Sequence, residues 1–381
     1  MTPTTPIGGA PQRLMRQVND RVFCELLAQH GPMSRPQLAK LAGLSSPATL
    51  KVIERLEAQG LVVSDGFDES SRPGPKAVVF ALAPKLGLAT AVELRGNSLR
   101  IAHSPLGSTA AERHDVPVET DDRLAELVVE SVKATIPTDA YRHHTVAIAL
   151  PGAIDPGTGD VLFSTELPRW AAGTAQRIRD ELGPRSGVLF DNEVNFRAIA
   201  ERLHGVAGQW EDYALLSLGS GVGAAVVLGG RVHRGRHGAA GEVGFMRTGG
   251  DSAAPFQDRA GAWTLANVVG RAHDREFAWL HEVVATEPLG SPVWDALAER
   301  IIPGLVNLST ILDPGLVILG GETARIAGEP LRAALDTSLR ASLHWQPPTL
   351  LRSHLGDEAV LLGALDEARR ALAETGFGST S

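Results

Sequence analysis

A single cysteine in 381 residues, Cys24, rules out an intrachain disulfide and leaves no thiol cluster for a metal. A lone cysteine within an apolar helical stretch is expected to be a small buried hydrophobe. The chain has no run of about 18 apolar residues, so no membrane-spanning helix is expected. Residues 1–12 are rich in Pro, Thr and Gly and lack a basic segment leading into an apolar core, so no secretory signal is expected. These absences point to a cytoplasmic protein. The twelve histidines show no metal-ligand spacing: His143-His144 and the pair His233 and His237 are expected at the surface, and no metal site is expected.

What the chain does have is an uneven charge. Of 36 Lys/Arg and 44 Asp/Glu, residues 1–85 hold ten and seven, a net +3, which leaves 26 against 37, a net −11, for the remainder. A basic end can approach phosphates that an acidic body repels. At about 100–200 residues per domain, the length suggests two or three domains.

The basic end has a pattern. Leu14, Val18, Val22 and Leu26 recur every four residues, with Phe23 and Leu27 beside them, and predict a helix that ends at His30-Gly31-Pro32. Ser34-Arg35-Pro36-Gln37 has the form of a capping box opening a short helix, with Leu38 and Leu41 as its buried side and Gly43 at its end. A second start follows at Ser45-Ser46-Pro47, with Leu50, Ile53 and Leu56 as an apolar stripe and Gly60 as the stop. Two short helices joined by a glycine-containing turn, after a longer helix, describe a helix-turn-helix. Two β-prone runs, 61–63 and 77–82, then flank a polar loop and predict a hairpin wing with Arg72 and Lys76 at its tip. The second short helix is the one that would enter a major groove of double-stranded DNA. Ser46, Thr49, Lys51 and Arg55 on it, with Arg72 and Lys76 on the wing, are the candidate DNA contacts. The alternative is a small helical hairpin for protein contact, with Lys51 and Arg55 simply solvated.

In the body, apolar runs at 88–94, 99–103, 145–150, 187–190, 213–218, 223–228 and 315–319 alternate with helical stretches near 122–135, 174–182, 194–204, 262–285, 292–312 and 328–342, which predicts an α/β fold. Four motifs stand out by order and spacing: Val146-Ala147-Ile148-Ala149-Leu150-Pro151-Gly152 with Asp155-Pro156; Phe190-Asp191-Asn192-Glu193-Val194-Asn195; Leu216-Ser217-Leu218-Gly219-Ser220-Gly221-Val222-Gly223; and Gly238-Ala239-Ala240-Gly241-Glu242-Val243-Gly244. With Asp313-Pro314, Leu319-Gly320-Gly321 and Leu361-Leu362-Gly363-Ala364, the chain from about residue 10 to 375 resembles the ROK family (repressors, open reading frames and sugar kinases), and most closely its repressor branch. The resemblance implies a winged helix-turn-helix followed by a two-lobed actin-like ATPase domain. The expected divisions are a flexible N-terminus over 1–12, the DNA-binding domain over 13–85 and the ROK domain over 86–381. Within the last, lobes are expected over roughly 86–195 and 196–381, with a C-terminal helix returning to the first lobe. Gly219 to Gly223 has the wrong glycine spacing for a Rossmann fingerprint and is followed by a strand, so it is expected to be a glycine-rich hairpin.

Departures from the family pattern bear on function. Where family kinases have an Asp-x-Gly-Gly-Thr turn for phosphate, this chain has Glu93-Leu94-Arg95-Gly96-Asn97. The residue matching the catalytic Asp is Glu193, whose extra methylene displaces the carboxylate by about 1–1.5 Å, and a shift of that size can cost about 10²-fold in rate. The family's structural zinc pattern is missing: Phe245 stands at its His position and 249–263 contain neither Cys nor His. The resemblance leaves Asn192, Glu193 and Glu242 as candidate ligand-binding residues, with Phe245 either stacking on a sugar ring or replacing metal with core. Neither a catalytic residue nor a cofactor is expected. The expectation is a regulator, a homodimer or homotetramer, that represses carbohydrate-related genes and answers to a sugar or sugar phosphate. Two alternatives stay open: a DNA-binding regulator with a ligand-free ROK scaffold, and an ATP-dependent sugar kinase with an appended domain.

Overall fold

The computed structural model describes residues 10–67, 76–95, 98–108, 110–118, 123–136, 140–164, 167, 170–248, 254–270 and 277–376. They form two compact units, Met1–Ile148 with Gly173–Leu189 and Ala364–Ser381, and Ala149–Ala172 with Phe190–Gly363.

The first unit begins with α1 (Ala10–His30), stopped by Gly31 in the left-handed region at φ 74°. A two-residue strand, β1 (Met33–Ser34), leads into α2 (Arg35–Ala42). Gln37 closes the start of α2, its Oε1 accepting from the Ser34 backbone N–H and from the Ser34 hydroxyl, each at 2.7 Å. α3 (Ser46–Ala58) follows, then β2 (Val62–Phe67) and β3 (Val78–Leu82). The strands form a sheet in the order β1-β3-β2, with Met33 opposite Phe80 and Val62 opposite Leu82. Phe23, Cys24, Leu27, Leu38, Val52, Ile53, Leu56, Val62 and Leu82 are buried and make its core. Burial pushes the Cys24 thiol up to about 12, as suits an inert core residue.

The same unit carries a five-stranded sheet in the order β10-β7-β4-β5-β6, from β4 (Gly87–Arg95), β5 (Ser98–Pro105), β6 (Glu112–Pro117), β7 (His143–Leu150) and β10 (Ser186–Asn192). α4 (Leu124–Thr135) and α5 (Thr174–Leu182) pack together beside it. His144, expected at the surface, is instead buried within the sheet: its Nε2 lies 2.9 Å from Thr90 Oγ1 and its Nδ1 3.4 Å from Ser186 Oγ. Burial lowers its pKa to about 4, so the ring is neutral at pH 7. The β5–β6 turn rests on the winged domain: a Cβ at Gly107 would lie 3.3 Å from Leu82 Cβ and 3.5 Å from the Leu27 carbonyl. α12 (Ala359–Gly376) also belongs here by its C-terminal part, with Arg369 donating to Ser104 Oγ at 2.9 Å and Leu372 against Gly87.

The second unit contains a small ribbon, β8 (Ala153–Ile154) with β9 (Val161–Phe163), and a second five-stranded sheet in the order β13-β12-β11-β14-β15. Its strands are β11 (Tyr213–Leu218), β12 (Val222–Leu228), β13 (Arg231–Val232), β14 (Leu316–Gly320) and β15 (Thr349–Arg352). Read from the antiparallel edge, both large sheets have the same arrangement: third, second, first, fourth and fifth strand of the set. This sheet is buried on both faces. Leu216, Leu218, Val317 and Leu319 join a core with Phe256, Trp279, Trp294 and Leu297, while Tyr213, Leu215, Leu316 and Ile318 pack with Val194 and Ala198 of α6 (Glu193–Leu203).

The helical run expected over 262–285 is two helices among the described residues, α8 (Ala262–Val268) and α9 (Ala278–Thr286), after a short α7 (Phe256–Ala260). α10 (Pro292–Leu312) packs so closely that a Cβ on Gly304 would meet the Phe256 ring at 2.2 Å. α11 (Gly321–Ser342) starts seven residues before the expected 328 and kinks there, because Gly328 takes φ 66° ahead of Pro330. Among the described residues no helix is long and apolar enough to cross a membrane.

Candidate nucleic-acid interface and ligand site

The register of α3 decides which of its side chains can meet DNA. Val52, Ile53 and Leu56 face the core, and so does Thr49, at 0 % exposure with no hydrogen-bond partner for its hydroxyl among the described residues. Thr49 is therefore a correction to the expected base contacts: it occupies a core position one turn before Ile53. Leu50, expected inside, is 39 % exposed. Leu41 and Val18 are likewise exposed. Ser46, Leu50, Lys51 and Glu54 thus make the outward face of α3. Arg55 is half-buried and committed to α1, its Nε donating to Asp20 at 2.7 and 3.0 Å. Lys76 is exposed at the entry to β3, and Arg72 lies outside the described residues.

The candidate ligand residues all belong to the second unit. Asn192 is the N-cap of α6: its Oδ1 accepts from the Val194 N–H at 2.6 Å, and its Nδ2 donates to the Gly152 carbonyl at 2.8 Å. Asn192 therefore holds the start of α6 against the loop after β7, with its side chain already engaged at both atoms. Glu193 opens α6 half-exposed and has no side-chain hydrogen-bond partner among the described residues. Glu242 is half-buried, and desolvation alone pushes its carboxyl above the ordinary range.

Glycines bring these loops together. A Cβ at Gly152 would lie 2.1 Å from the Phe163 carbonyl, one at Gly238 1.7 Å from the Ile154 carbonyl, and one at Gly241 2.0 Å from the Ala224 carbonyl. All three have positive φ, so glycine is required on both counts. Phe245 stands 54 % exposed with its ring edge-on to Phe163, centroids 5.2 Å apart. The run that carries zinc in the family does not fit that metal here, since Phe245 replaces the imidazole with an aromatic wall.

Sequence reasoning missed Asp191. Its buried carboxylate accepts from Asn195 Nδ2 and Arg234 Nε, each at 2.7 Å, and from the Asn192 N–H at 2.8 Å. Burial raises its pKa against the opposing pull of Arg234. The signal was present as Asp191-x-x-x-Asn195, an i,i+4 pair at a helix start. At the phosphate turn, Glu93 is buried and paired across β4 and β5 with Arg100, 3.0 Å away. Gly219 to Gly221 is the β11–β12 hairpin turn, with Leu218 opposite Val222 and Gly223 already in β12, and the Gly219 N–H is used internally on the Gly221 carbonyl at 3.0 Å.

A profile of the ROK family matches residues 90–262, and one for winged helix-turn-helix DNA-binding domains matches 25–63. The chain carries a ROK-family domain behind a winged helix-turn-helix. The ROK domain has the actin-like, sugar-kinase-type fold. The chain is 24 % identical to the xylose repressor of Caldicellulosiruptor bescii over 92 % of its own length and 95 % of the relative's. It is also 24 % identical to the DNA-binding transcriptional dual regulator NagC of Escherichia coli, over 61 % of its own length, and there it spans only 58 % of the relative. Among solved structures, a ROK family transcriptional regulator, homologue of the E. coli MLC protein, superposes with a TM-score of 0.74 at 20 % identity, covering 95 % of this chain and 99 % of that one. The ROK hexokinase of Thermus thermophilus matches at 0.57 and 26 % identity, over 73 % of this chain and 96 % of that one.

Proposed function

We propose that this chain is a DNA-binding transcriptional repressor whose ROK domain senses a sugar or sugar derivative and assembles the protein as a homodimer or homotetramer. The observation that carries the reading is the order of modules: a winged helix-turn-helix, with β1 and the paired strands β2 and β3 behind its helices, precedes a ROK domain, as in relatives named repressors. Ser46 and Lys51 on α3 contact base edges and phosphates, Leu50 offers an apolar contact for a thymine methyl, and Lys76 with Arg72 on the wing approaches the backbone or minor groove. Arg55 orients α3 rather than reading DNA.

The ROK domain acts as a sensor rather than a kinase. Glu93 is neutralised by Arg100 where a kinase keeps its phosphate turn, and Glu193 replaces the catalytic Asp. Glu193 and Glu242 bind sugar hydroxyls, with Phe245 and Phe163 as an apolar wall against a ring face. Asn192 supports this site by fixing the start of α6. A second reading, a ROK scaffold without a ligand, draws on the structural engagement of the Asn192 side chain.

Footprinting over DNA upstream of the protein's own gene tests the proposal. Protection of a two-fold symmetric site, its halves separated by whole helical turns, is expected from a symmetric oligomer. Absence of any protected site there and at neighbouring promoters would contradict it.

A further inference from the structure

Strand register in the first unit juxtaposes three side chains that the sequence keeps apart. His103 on β5 lies directly opposite Glu112 on edge strand β6, and His114 is opposite Ile101, so the two imidazoles and the carboxylate project from one face. The rings are stacked, centroids 5.2 Å apart and planes within 5°, so a ring rotation brings both nitrogens to one ion. His103 Nε2 and Glu112 Oε2 are 3.1 Å apart, and one potential ligand atom from each of the three residues lies within 4.8 Å of the others. Two ligands bound at the usual Zn–N and Zn–O lengths to a tetrahedral ion sit about 3.3 Å apart, close to the first pair.

The surroundings leave ring nitrogens of both histidines available as ligands. His103 is 5 % exposed, so its imidazole sits in the sheet with one edge turned to Glu112. His103 Nδ1 and His114 Nε2 are buried without a hydrogen-bond partner among the described residues. Glu112 is exposed and gives an ion a route in from solvent.

We propose that His103, Glu112 and His114 form a binding site for a first-row divalent transition metal, Zn²⁺ foremost, with a remaining position open to water. Two imidazoles and one carboxylate favour such an ion over Mg²⁺ or Ca²⁺, which prefer all-oxygen shells. The site is distinct from the run ending at Phe245. It clips edge strand β6 to β5 beside the Leu106-Gly107 turn, which rests on Leu27 and Leu82 of the winged domain.

Untagged full-length protein, stripped with chelator and titrated with Co²⁺, tests the proposal. One Co²⁺ per chain is expected, with visible d–d bands that Zn²⁺ abolishes by displacement and Mg²⁺ does not. The bands should vanish in His114→Ala and in Glu112→Gln, and persist in His233→Ala. Glu112 is exposed on an edge strand, so its variant keeps the test valid should His114→Ala misfold. Absence of stoichiometric binding, or bands that survive Glu112→Gln and His114→Ala together, would overturn the assignment.

Discussion

Arg55 and Asp20 lock the outward helix of the winged domain to its first helix, with the guanidinium Nε 2.7 Å from one carboxylate oxygen and 3.0 Å from the other. The pair is shielded, with side-chain exposures of 29 % and 18 %. Removing one partner leaves a partly buried charge uncompensated. Asp20→Ala should therefore destabilise the domain by about 1–3 kcal/mol, read as a lower urea midpoint at unchanged slope. An unchanged midpoint would show that the pair holds nothing in place.

Lys51 and Arg55 should separate in salt dependence. Lys51→Ala is expected to weaken DNA binding nearly uniformly across sequences and to reduce the slope of log K against log salt by about 1. Arg55→Ala should lower affinity through helix misplacement with the slope retained. Equal slope changes in the two variants would restore Arg55 as a phosphate contact.

Thr49 supplies a test of register. Its buried hydroxyl has no partner among the described residues, so the near-isosteric Thr49→Val should stabilise the protein by about 1 kcal/mol and leave operator preference unchanged. Altered base preference in this variant would place Thr49 at the DNA surface.

The pH dependence of stability should carry the signature of His144. Its pKa of about 4 in the folded protein lies below the ordinary value of 6.5. The unfolded chain therefore binds the extra proton first, and stability is lost as pH falls from about 6.5 to about 4, by a few kcal/mol in all. Above pH 6.5 the group has no effect. His144→Gln should flatten the curve in that window, measured by chemical denaturation at a series of pH values, whereas an unchanged slope would show that the ring is not buried neutral.

How much was legible in the sequence follows from burial. The strands buried on both faces, such as Leu316 to Gly320, announce themselves as apolar runs. β6, with Glu112, Arg113, His114 and Asp115, is a polar edge strand whose identity comes from pairing with β5, so neither local propensity nor alternation exposes it. The metal-ligand triad was hidden for the same reason: 103, 112 and 114 become neighbours through register. On α3 the helix was legible but its rotation was not, because Thr49 can serve a core or a polar face and Leu50 invites the opposite assignment. At the candidate ligand site Asn192, Glu193 and Glu242 stand in recognisable motifs, but the Asn192 cap and the Asp191–Arg234 pair depend on loops 40 or so residues apart meeting in space.

Ligand-linked release of DNA is the central claim, and fluorescence anisotropy of a labelled duplex from the upstream region tests it most directly. The duplex is titrated with wild-type protein and with Glu242→Gln, at two salt concentrations, against a panel of sugars and sugar phosphates. The account predicts tight, salt-sensitive binding that one sugar releases from the wild type and not from Glu242→Gln. Tight binding indifferent to every sugar, or release that persists unchanged in Glu242→Gln, would contradict the sensing site proposed here.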